Sequence, residues 1–227
     1  MMVVGYYTQG EGTSYEAEAE LLRASLVRAG VPHEITAIES RGDWYANTSM
    51  KAEFIRRQRE EHAGALLYVD VDAFVHRDPS AYFDTLNAMG SDFGAHYFRG
   101  PAGGHDRSKV EKEGWRLLSG TLYFGDTPGA RVLLNAWVAL NATLRAHGAP
   151  EGGGQKNLWY LTTCLRDIEV VRLPGSYCWV FDKPWAYAKE EEPVIEHTIA
   201  SRDHRGTRQR TDARAQRIEQ LQRLVGA

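Results

Sequence analysis

The first forty residues alternate between strand-like and helix-like spacing of apolar positions. Val3–Thr8 is a short apolar run rich in β-branched and aromatic residues, which is typical of a strand. From there to Ala29 the apolar residues follow helical spacing, and Gly30 predicts the end of the helix. His33–Ile38 has strand character again. The chain therefore begins strand, helix, strand, which is the order that opens an α/β sheet.

A continuous apolar run, Ala65–Val69, predicts a strand buried on both faces. The spacing before it predicts a helix from Asn47 to about His62, and Ala73-Phe74-Val75 extends the strand. Further strands are predicted at Asp92–Phe98, Trp115–Phe124, Ile168–Leu173, Ser176–Phe181 and Pro193–His197, and further helices at Pro79–Leu86, Thr127–His147, Gln155–Leu165 and from about Thr207. We find neither an internal repeat nor a linker. This order predicts one domain over residues 1–206 and a basic helix over 207–227, packed on that domain or extending from it.

Composition narrows the class of protein without naming a function. The chain has 227 residues, of which 43% are hydrophobic and 25% charged, as in ordinary globular proteins. Its apolar runs are too short to span a bilayer, and its beginning does not resemble a signal peptide. Cys164 and Cys178 are too few for a disulfide framework, so we expect both to be small core residues. A reduced, cytoplasmic domain of enzyme size is the resulting expectation.

Charge is distributed unevenly along the chain. From Thr198 to the end there are seven arginines against three acidic residues, which gives that segment about +4. Because the formal net charge is -3, the remainder carries about -7. A basic tail on an acidic body can hold phosphate groups or a polyanion, although a solvated helix face produces the same pattern.

Two carboxylates follow the buried strand directly. Residues two apart in a strand point to the same side, so Asp70 and Asp72 repel each other unless a cation or a turn intervenes. Mg²⁺ and Mn²⁺ accept one or two carboxylates together with substrate phosphates. Open α/β sheets also bind ligands at the carboxyl ends of their strands. The pattern thus indicates a metal site, and the alternative is a pair of aspartates that merely terminates a strand.

The residues around this pair resemble one enzyme family. Leu66–Val75 resembles the DxD segment of glycosyltransferases with the GT-A fold, in the nucleotide-diphospho-sugar transferase group. The segment Trp44 to Ile55, with Asn47 and Lys51, resembles the helix before that strand, in which a Lys or Arg points at the donor diphosphate. Leu118–Phe124 resembles the small-residue strand that lies along the donor sugar.

Two later segments complete the resemblance, which spans roughly residues 3–202. Gln155 with Leu158 resembles the second half of a helix motif that pairs an acidic residue with Gln. Val194–Arg202 resembles the late strand that brings a His to the metal. Gly154 stands where many relatives have Asp or Glu, although Glu151 lies three residues upstream. Since an acid in that region can be the general base of an inverting enzyme, we expect transfer with retention of anomeric configuration.

The resemblance implies a fold and a reaction. The fold is α/β of GT-A type, with a Rossmann-like, mostly parallel central sheet flanked by helices and a smaller antiparallel portion on the acceptor side. The reaction is transfer of a hexosyl or pentosyl group from a nucleoside-diphosphate sugar, a UDP-sugar foremost, with Mn²⁺ or Mg²⁺.

It also implies roles for individual residues. Asp72 is the first candidate metal ligand, and His197 is a third candidate. Asp70 is expected to contact the metal, the ribose of the donor or both. Catalytic roles fall to Asp72, Gln155 and Lys51. The donor is expected to contact Tyr7, Thr8, Asn47, Lys51, Asp70, Ser119, Gly120, Thr121 and Arg202.

Other functions compete with this interpretation. A Mg²⁺-dependent nucleotidyl- or phosphoryl-transfer enzyme also uses paired carboxylates, but the sequence has no Gly-x-x-x-x-Gly-Lys-Ser/Thr loop. A non-catalytic module that binds nucleotide or polyanion is the second alternative. Within the glycosyltransferase interpretation the acceptor is open. Enzymes of this general type in bacterial viruses glycosylate hydroxylated DNA bases, and the arginine-rich tail is suited to tracking phosphates.

Overall fold

Six strands form the central sheet within the described part of the chain. The computed structural model describes residues 1–9, 15–42, 44–98, 116–148, 154–183, 192–200 and 208–226. The sheet contains β1 (Met2–Gln9), β2 (His33–Glu39), β3 (Leu66–Val69), β5 (Phe93–Phe98), β6 (Arg116–Phe124) and β7 (Val170–Arg172) in the spatial order β2-β1-β3-β6-β5-β7. Strand β6 pairs antiparallel with β3 and β5, and the other pairings are parallel. The predicted α/β class with a mostly parallel sheet is confirmed.

Seven helices are described along the chain. They are α1 (Glu16–Ala29), α2 (Trp44–Ser49), α3 (Lys51–Glu61), α4 (Ser80–Ala88), α5 (Pro128–Ala146), α6 (Gly154–Cys164) and α7 (Arg208–Val225). The helix predicted from Asn47 to His62 is therefore two helices, with Met50 between them. The predicted strand Ser176–Phe181 is a 3₁₀ turn (Gly175–Cys178) followed by the short strand β8 (Trp179–Val180).

A hydrophobic core lies on each face of the central sheet, because side chains of a strand alternate between its two faces. On one face Val3 and Tyr7 of β1 pack with Leu22 and Leu26 of α1. On the other face Val4 packs with residues of α3, α5 and α6, including the completely buried Trp137. All four residues of β3 are buried, as the continuous apolar run predicts for a central strand.

A second, smaller sheet holds the chain beyond the carboxylate pair. Its order is β4 (Ala73–Val75), β9 (Ile195–His197) and β8, with β4 antiparallel and β8 parallel to β9. Ala73–Val75 was expected to continue the preceding strand, and that expectation is wrong. A turn at Asp70, closed by the 3.1 Å hydrogen bond from Ala73 N to Asp70 O, redirects the chain into the second sheet.

Helix α7 packs against α1. The 2.6 Å ion pair between Arg214 and Glu18 joins the two helices, and Leu221 of α7 is completely buried. The two cysteines differ in environment: Cys178 is buried as expected, whereas Cys164 is exposed, so the expectation for Cys164 is wrong. Within the described residues, no helix combines the length and the hydrophobicity that crossing a membrane requires.

Candidate functional site

The turn that follows β3 lies beside the middle of β6. Val69 pairs with Thr121, and Asp70 N donates a 2.8 Å hydrogen bond to Gly120 O. The carboxylates of Asp70 and Asp72 therefore stand at the carboxyl edge of the central sheet, next to the small residues of β6. The sequence indicated that these segments lie close together, because the small-residue strand Leu118–Phe124 was expected to lie along the donor that the carboxylate pair binds.

Asp70 is held by a lysine and a tyrosine. Its Oδ1 accepts a 2.7 Å hydrogen bond from the Tyr68 hydroxyl and lies 2.8 Å from Lys51 Nζ. Burial raises the pKa of Tyr68 well above its usual value, and the Asp70 carboxylate raises it further, so Tyr68 remains a proton donor. The Asp70 side chain is still 35% exposed, which leaves it accessible to a ligand.

Lys51 connects Asp70 to the next predicted residues. Its Nζ donates to Ser119 O at 3.0 Å and to Ser119 Oγ at 3.4 Å. Gln155 Oε1 in turn accepts from Ser119 Oγ at 3.1 Å and from Ser119 N at 3.3 Å. The indole of Trp137 donates a 2.9 Å hydrogen bond to Gly154 O and so fixes the start of the helix that carries Gln155. Four of the predicted site residues thus form one connected group.

Asp72 is held by the segment that follows β9. Its Oδ2 accepts a 2.8 Å hydrogen bond from Ala200 N, and its backbone oxygen accepts from both N and Oγ1 of Thr198. Asp72 Oδ1 lies 3.6 Å from His197 Nδ1. More than a hundred residues of sequence separate the two sides of this contact, and the pairing of Ala73 with His197 brings them together.

The ring of His197 occupies the space that Gly120 leaves open. A Cβ at position 120 would stand 2.8 Å from His197 Cε1 and 3.1 Å from both ring nitrogens. On its other side the ring approaches Thr121, whose Oγ1 lies 2.9 Å from Nε2. The glycine was expected to let a donor sugar approach, and in the structure the imidazole lies where its side chain would be.

Asp72 and His197 shift one another's protonation. Burial raises the pKa of Asp72, but the hydrogen bond and the charge of His197, together with the Ala200 amide, lower it more, and the net pKa is lowered. Burial lowers the pKa of His197, while the neighbouring Cys178 and the Asp72 carboxylate raise it to about 10. These shifts favour the charged forms of both side chains.

The donor atoms suit a cation that is shared with a ligand. Among the described residues, no three His, Cys, Asp or Glu side chains are arranged to hold a metal ion by themselves. Mg²⁺ and Mn²⁺ need only one or two carboxylates when waters and substrate phosphates supply the other ligands. Asp72 and His197 meet that requirement, with Asp70 close by in the same turn.

The remaining predicted residues lie around this centre or outside it. Tyr7 is buried in the core with the Arg23 guanidinium 5.5 Å from its ring centre, and Thr8 is also buried. Asn47 holds the loop after β2, because its Oδ1 accepts a 2.7 Å hydrogen bond from Arg41 N. Arg202 lies outside the described residues.

Sequence reasoning missed several polar residues that hold the site together. Tyr68 was treated as part of an apolar run, although its position two residues before Asp70 places both side chains on one face. Tyr6 donates a 2.9 Å hydrogen bond to Asn47 O. Glu196 was noted only as the neighbour of His197, and no local pattern marks its partners, His76 and Arg217.

Comparisons with known proteins agree on the fold. No protein-family model matches the sequence, and no curated protein matches it either. A glycosyltransferase involved in the glycosylation of the major capsid of PBCV-1 is 14% identical, with 97% of this chain and 98% of that chain covered and a TM-score of 0.65. Mouse xyloside xylosyltransferase 1, in its apo form, is 13% identical over 88% of this chain and 97% of its own, with a TM-score of 0.56.

A third solved structure was determined with sugars bound. The galactosyltransferase LgtC, in complex with donor and acceptor sugar analogues, is 10% identical over 87% of this chain and 86% of its own, with a TM-score of 0.55. At such low identities the likeness concerns the fold. The chain has the mixed α/β fold of GT-A glycosyltransferases, as its sequence predicted.

Proposed function

We propose that this chain is a metal-dependent glycosyltransferase that moves a sugar from a nucleoside-diphosphate-sugar donor to an acceptor hydroxyl. The observation that carries the proposal is the turn Asp70–Asp72, which joins His197 on one side and Lys51 on the other at the carboxyl edge of the sheet. Open α/β sheets bind their ligands at that edge. The structural neighbours are glycosyltransferases, which supports sugar transfer in general.

Asp72 and His197 are the residues proposed to hold the cation, with Asp70 as a further ligand. Carboxylate oxygens are the protein ligands that Mn²⁺ and Mg²⁺ prefer, and the donor's phosphates complete their coordination. A bound divalent ion would neutralise the charge that develops on the departing diphosphate. The hydrogen bond from Ala200 N leaves Asp72 Oδ1 directed towards His197 and away from the backbone.

Lys51 has a role that depends on the state of the site. In the structure its ammonium group contacts Asp70 and Ser119. We propose that it contacts the donor diphosphate once a metal cation has replaced it beside Asp70. A lysine is suited to this exchange because its ammonium group is a compact charge on a flexible stem.

We further propose retention of anomeric configuration. Gln155 is bonded to Ser119, so an amide stands beside the strand expected to follow the donor sugar, with Gly154 immediately before it. An amide cannot act as the general base that an inverting reaction needs. NMR of the product distinguishes the two outcomes, since retention preserves the donor's anomeric coupling constant.

We specify the acceptor only as a hydroxyl group. A hydroxylated base in DNA was the specific candidate suggested by the arginines of the tail. Arg214 pairs with Glu18 and Arg217 with Glu196, so these two charges are used within the domain and do not track phosphates. This observation favours an acceptor other than DNA.

The proposal is tested by incubating the full chain with a panel of nucleotide sugars and Mn²⁺ and measuring the released nucleoside diphosphate. Candidate acceptors are then screened by mass spectrometry for the mass of an added sugar. We expect release that stops when EDTA removes the metal. Release of sugar 1-phosphate, with the nucleoside monophosphate group transferred or set free, would indicate the rival nucleotidyl-transfer reaction. No turnover, together with no Mn²⁺-dependent nucleotide binding, would overturn the proposal.

A further inference from the structure

Glu196 is a buried carboxylate that is bonded to an arginine and a histidine from different elements. Its side chain is 1% exposed. Arg217 Nε donates to one carboxylate oxygen and Nη2 to the other, each at 2.7 Å. His76, just after β4, lies 2.7 Å from the second oxygen through Nε2. Two parallel bonds from one guanidinium give this pair a fixed geometry.

Glu196 and His197 are neighbours in β9, so their side chains point to opposite faces of the strand. One face carries Glu196 to helix α7, and the other carries His197 to Asp72 and Thr121. The strand is only three residues long and is bonded to β4 on one side and β8 on the other. A shift of Glu196 therefore moves His197 with it.

Helix α7 is fastened to the domain by two ion pairs with different destinations. Arg214 bonds Glu18 at 2.6 Å and ties the helix to α1. Arg217, one turn further along, ties it to Glu196 of β9, the strand that also carries His197. The two arginines thus connect the helix to two different elements.

We propose that Arg217 and Glu196 are positioning residues for the site, and that the C-terminal helix holds His197 against Asp72 through them. The inference rests on the proposed function, because it takes His197 to be a ligand of the cation. It gives the basic tail a role inside the domain. At least one arginine of the tail, Arg217, therefore has its partner in the strand that carries His197.

Loss of Arg217 leaves Glu196 buried with His76 as its remaining side-chain partner among the described residues. A buried carboxylate that loses its guanidinium partner turns towards water, and because Glu196 and His197 are adjacent in β9, we expect that movement to displace His197. Groups that orient a metal ligand typically contribute roughly 10–100-fold to metal affinity. We expect Arg217→Met to weaken Mn²⁺ binding by about tenfold, at the lower end of that range because Glu196 acts through its neighbour.

The experiment compares Arg217→Met with Arg214→Met in the full chain. The second variant is a matched control for hydrogen exchange, because it removes an ion pair that joins the same helix to α1 and not to β9. The charge of Arg214 also acts on Asp72, so Mn²⁺ affinity by itself does not distinguish the two variants. Mn²⁺ affinity in the presence of a nucleoside diphosphate is measured by titration, and hydrogen exchange is followed in the peptide that covers residues 194–200. Thermal unfolding reports the stability of each variant.

We expect Arg217→Met to weaken Mn²⁺ binding and to speed exchange in that peptide, while Arg214→Met lowers the melting temperature and leaves that exchange unchanged. Arg217→Lys restores part of the affinity, because it returns the charge without the two parallel hydrogen bonds. Should Arg217→Met fail to fold, Arg217→Lys and Glu196→Gln provide milder versions of the same loss. Equal exchange of residues 194–200 in the two methionine variants, or no effect of Arg217→Met on either measurement, would overturn the positioning role.

Failure of the proposed function has a different signature. If the unmodified protein binds no Mn²⁺ with any nucleoside diphosphate, the metal-dependent reaction is excluded. Hydrogen exchange at residues 194–200 then still decides whether Arg217 fixes β9. Unchanged exchange in Arg217→Met would exclude the positioning role independently of the metal.

Discussion

Lys51 Nζ lies 2.8 Å from Asp70 Oδ1 and 4.9 Å from the centre of the Tyr68 ring, and only 11% of the lysine side chain is exposed. A cation therefore already stands at Asp70 before any metal arrives. Unit charges 4 Å apart near a protein surface interact by roughly 4 kcal/mol before solvent rearrangement. Part of that energy must be given up when a divalent ion approaches the same carboxylate.

Lys51→Met removes the competing charge. We expect the ligand-free protein to bind Mn²⁺ more tightly, by roughly tenfold if about a third of that interaction is recovered. Affinity for a nucleoside diphosphate and the transfer rate should fall, because the proposed contact with the diphosphate is lost. Titration with Mn²⁺, with and without nucleotide, measures both effects. The Lys51→Arg variant keeps the charge and is the control. Weaker Mn²⁺ binding by the methionine variant would contradict this prediction and show that Lys51 orders Asp70 for the metal.

The sequence was informative where a local pattern carries the structure. The buried run before Asp70 placed the carboxylate pair at the end of a central strand, and the structure brings Ser119–Thr121, which were expected along the donor sugar, beside that strand. Both conclusions follow from alternation and burial, which depend on a few consecutive residues. The same reasoning could have identified the connected group of Lys51, Asp70 and Ser119.

The rest depends on contacts between distant segments. Asp72 is bonded to Thr198 and Ala200, and Glu196 to Arg217, through pairings that no periodicity records. Strand β4 has only three residues, so its pattern could not reveal that it belongs to a second sheet. The tail arginines were assessed by their net charge, and charge alone does not distinguish a buried ion pair from a solvated face.

Gly120→Ala tests whether the missing side chain serves His197. The added Cβ would stand 2.8 Å from His197 Cε1, so the ring must move. Overpacking of this kind costs about 1–3 kcal/mol of stability. We expect a lower melting temperature together with weaker Mn²⁺ binding.

Gly94→Ala is the matched control for that variant. Its Cβ would meet Leu173 Cδ2 at 2.9 Å, a comparable clash in a neighbouring strand where His197 is not among the contacts. It should lose stability and keep its Mn²⁺ affinity. Equal metal binding by both alanine variants would remove the special relation between Gly120 and His197.

Asp126 gives a prediction for stability against pH. Its carboxylate accepts hydrogen bonds from Gly64 N at 3.0 Å and Arg131 Nη2 at 2.8 Å, and these bonds lower its pKa from 3.8. The stabilisation is present above pH 3.8 and is lost as the pH falls through the lowered pKa. Because the side chain is 30% exposed, we expect no more than about 1 kcal/mol.

Asp126→Asn isolates this contribution. The variant should unfold at a lower temperature than the unmodified protein at pH 7, and the difference should shrink as the pH falls below 3.8 and the carboxylate takes up a proton. Thermal unfolding at a series of pH values measures it. A difference that does not change with pH would mean that packing, and not the carboxylate charge, is responsible.

Asp72→Asn is the sharpest test of the proposed centre. The amide keeps an oxygen that can accept from Ala200 N, so the turn and its bonds to β9 have no reason to open. It removes the negative charge that holds His197 as a cation in the ligand-free protein and that would bind the metal. We expect Mn²⁺-dependent release of nucleoside diphosphate to fall by at least roughly a hundredfold, the scale of losing one preorganised electrostatic group.

The control is Asp78→Asn, which changes an exposed carboxylate bonded to Ser80 N, and its release rate should match that of the unmodified protein. An Asp72→Asn variant that transfers sugar at the normal rate would place the chemistry elsewhere, since no other carboxylate in the described residues is bonded to the segment after His197 in this way.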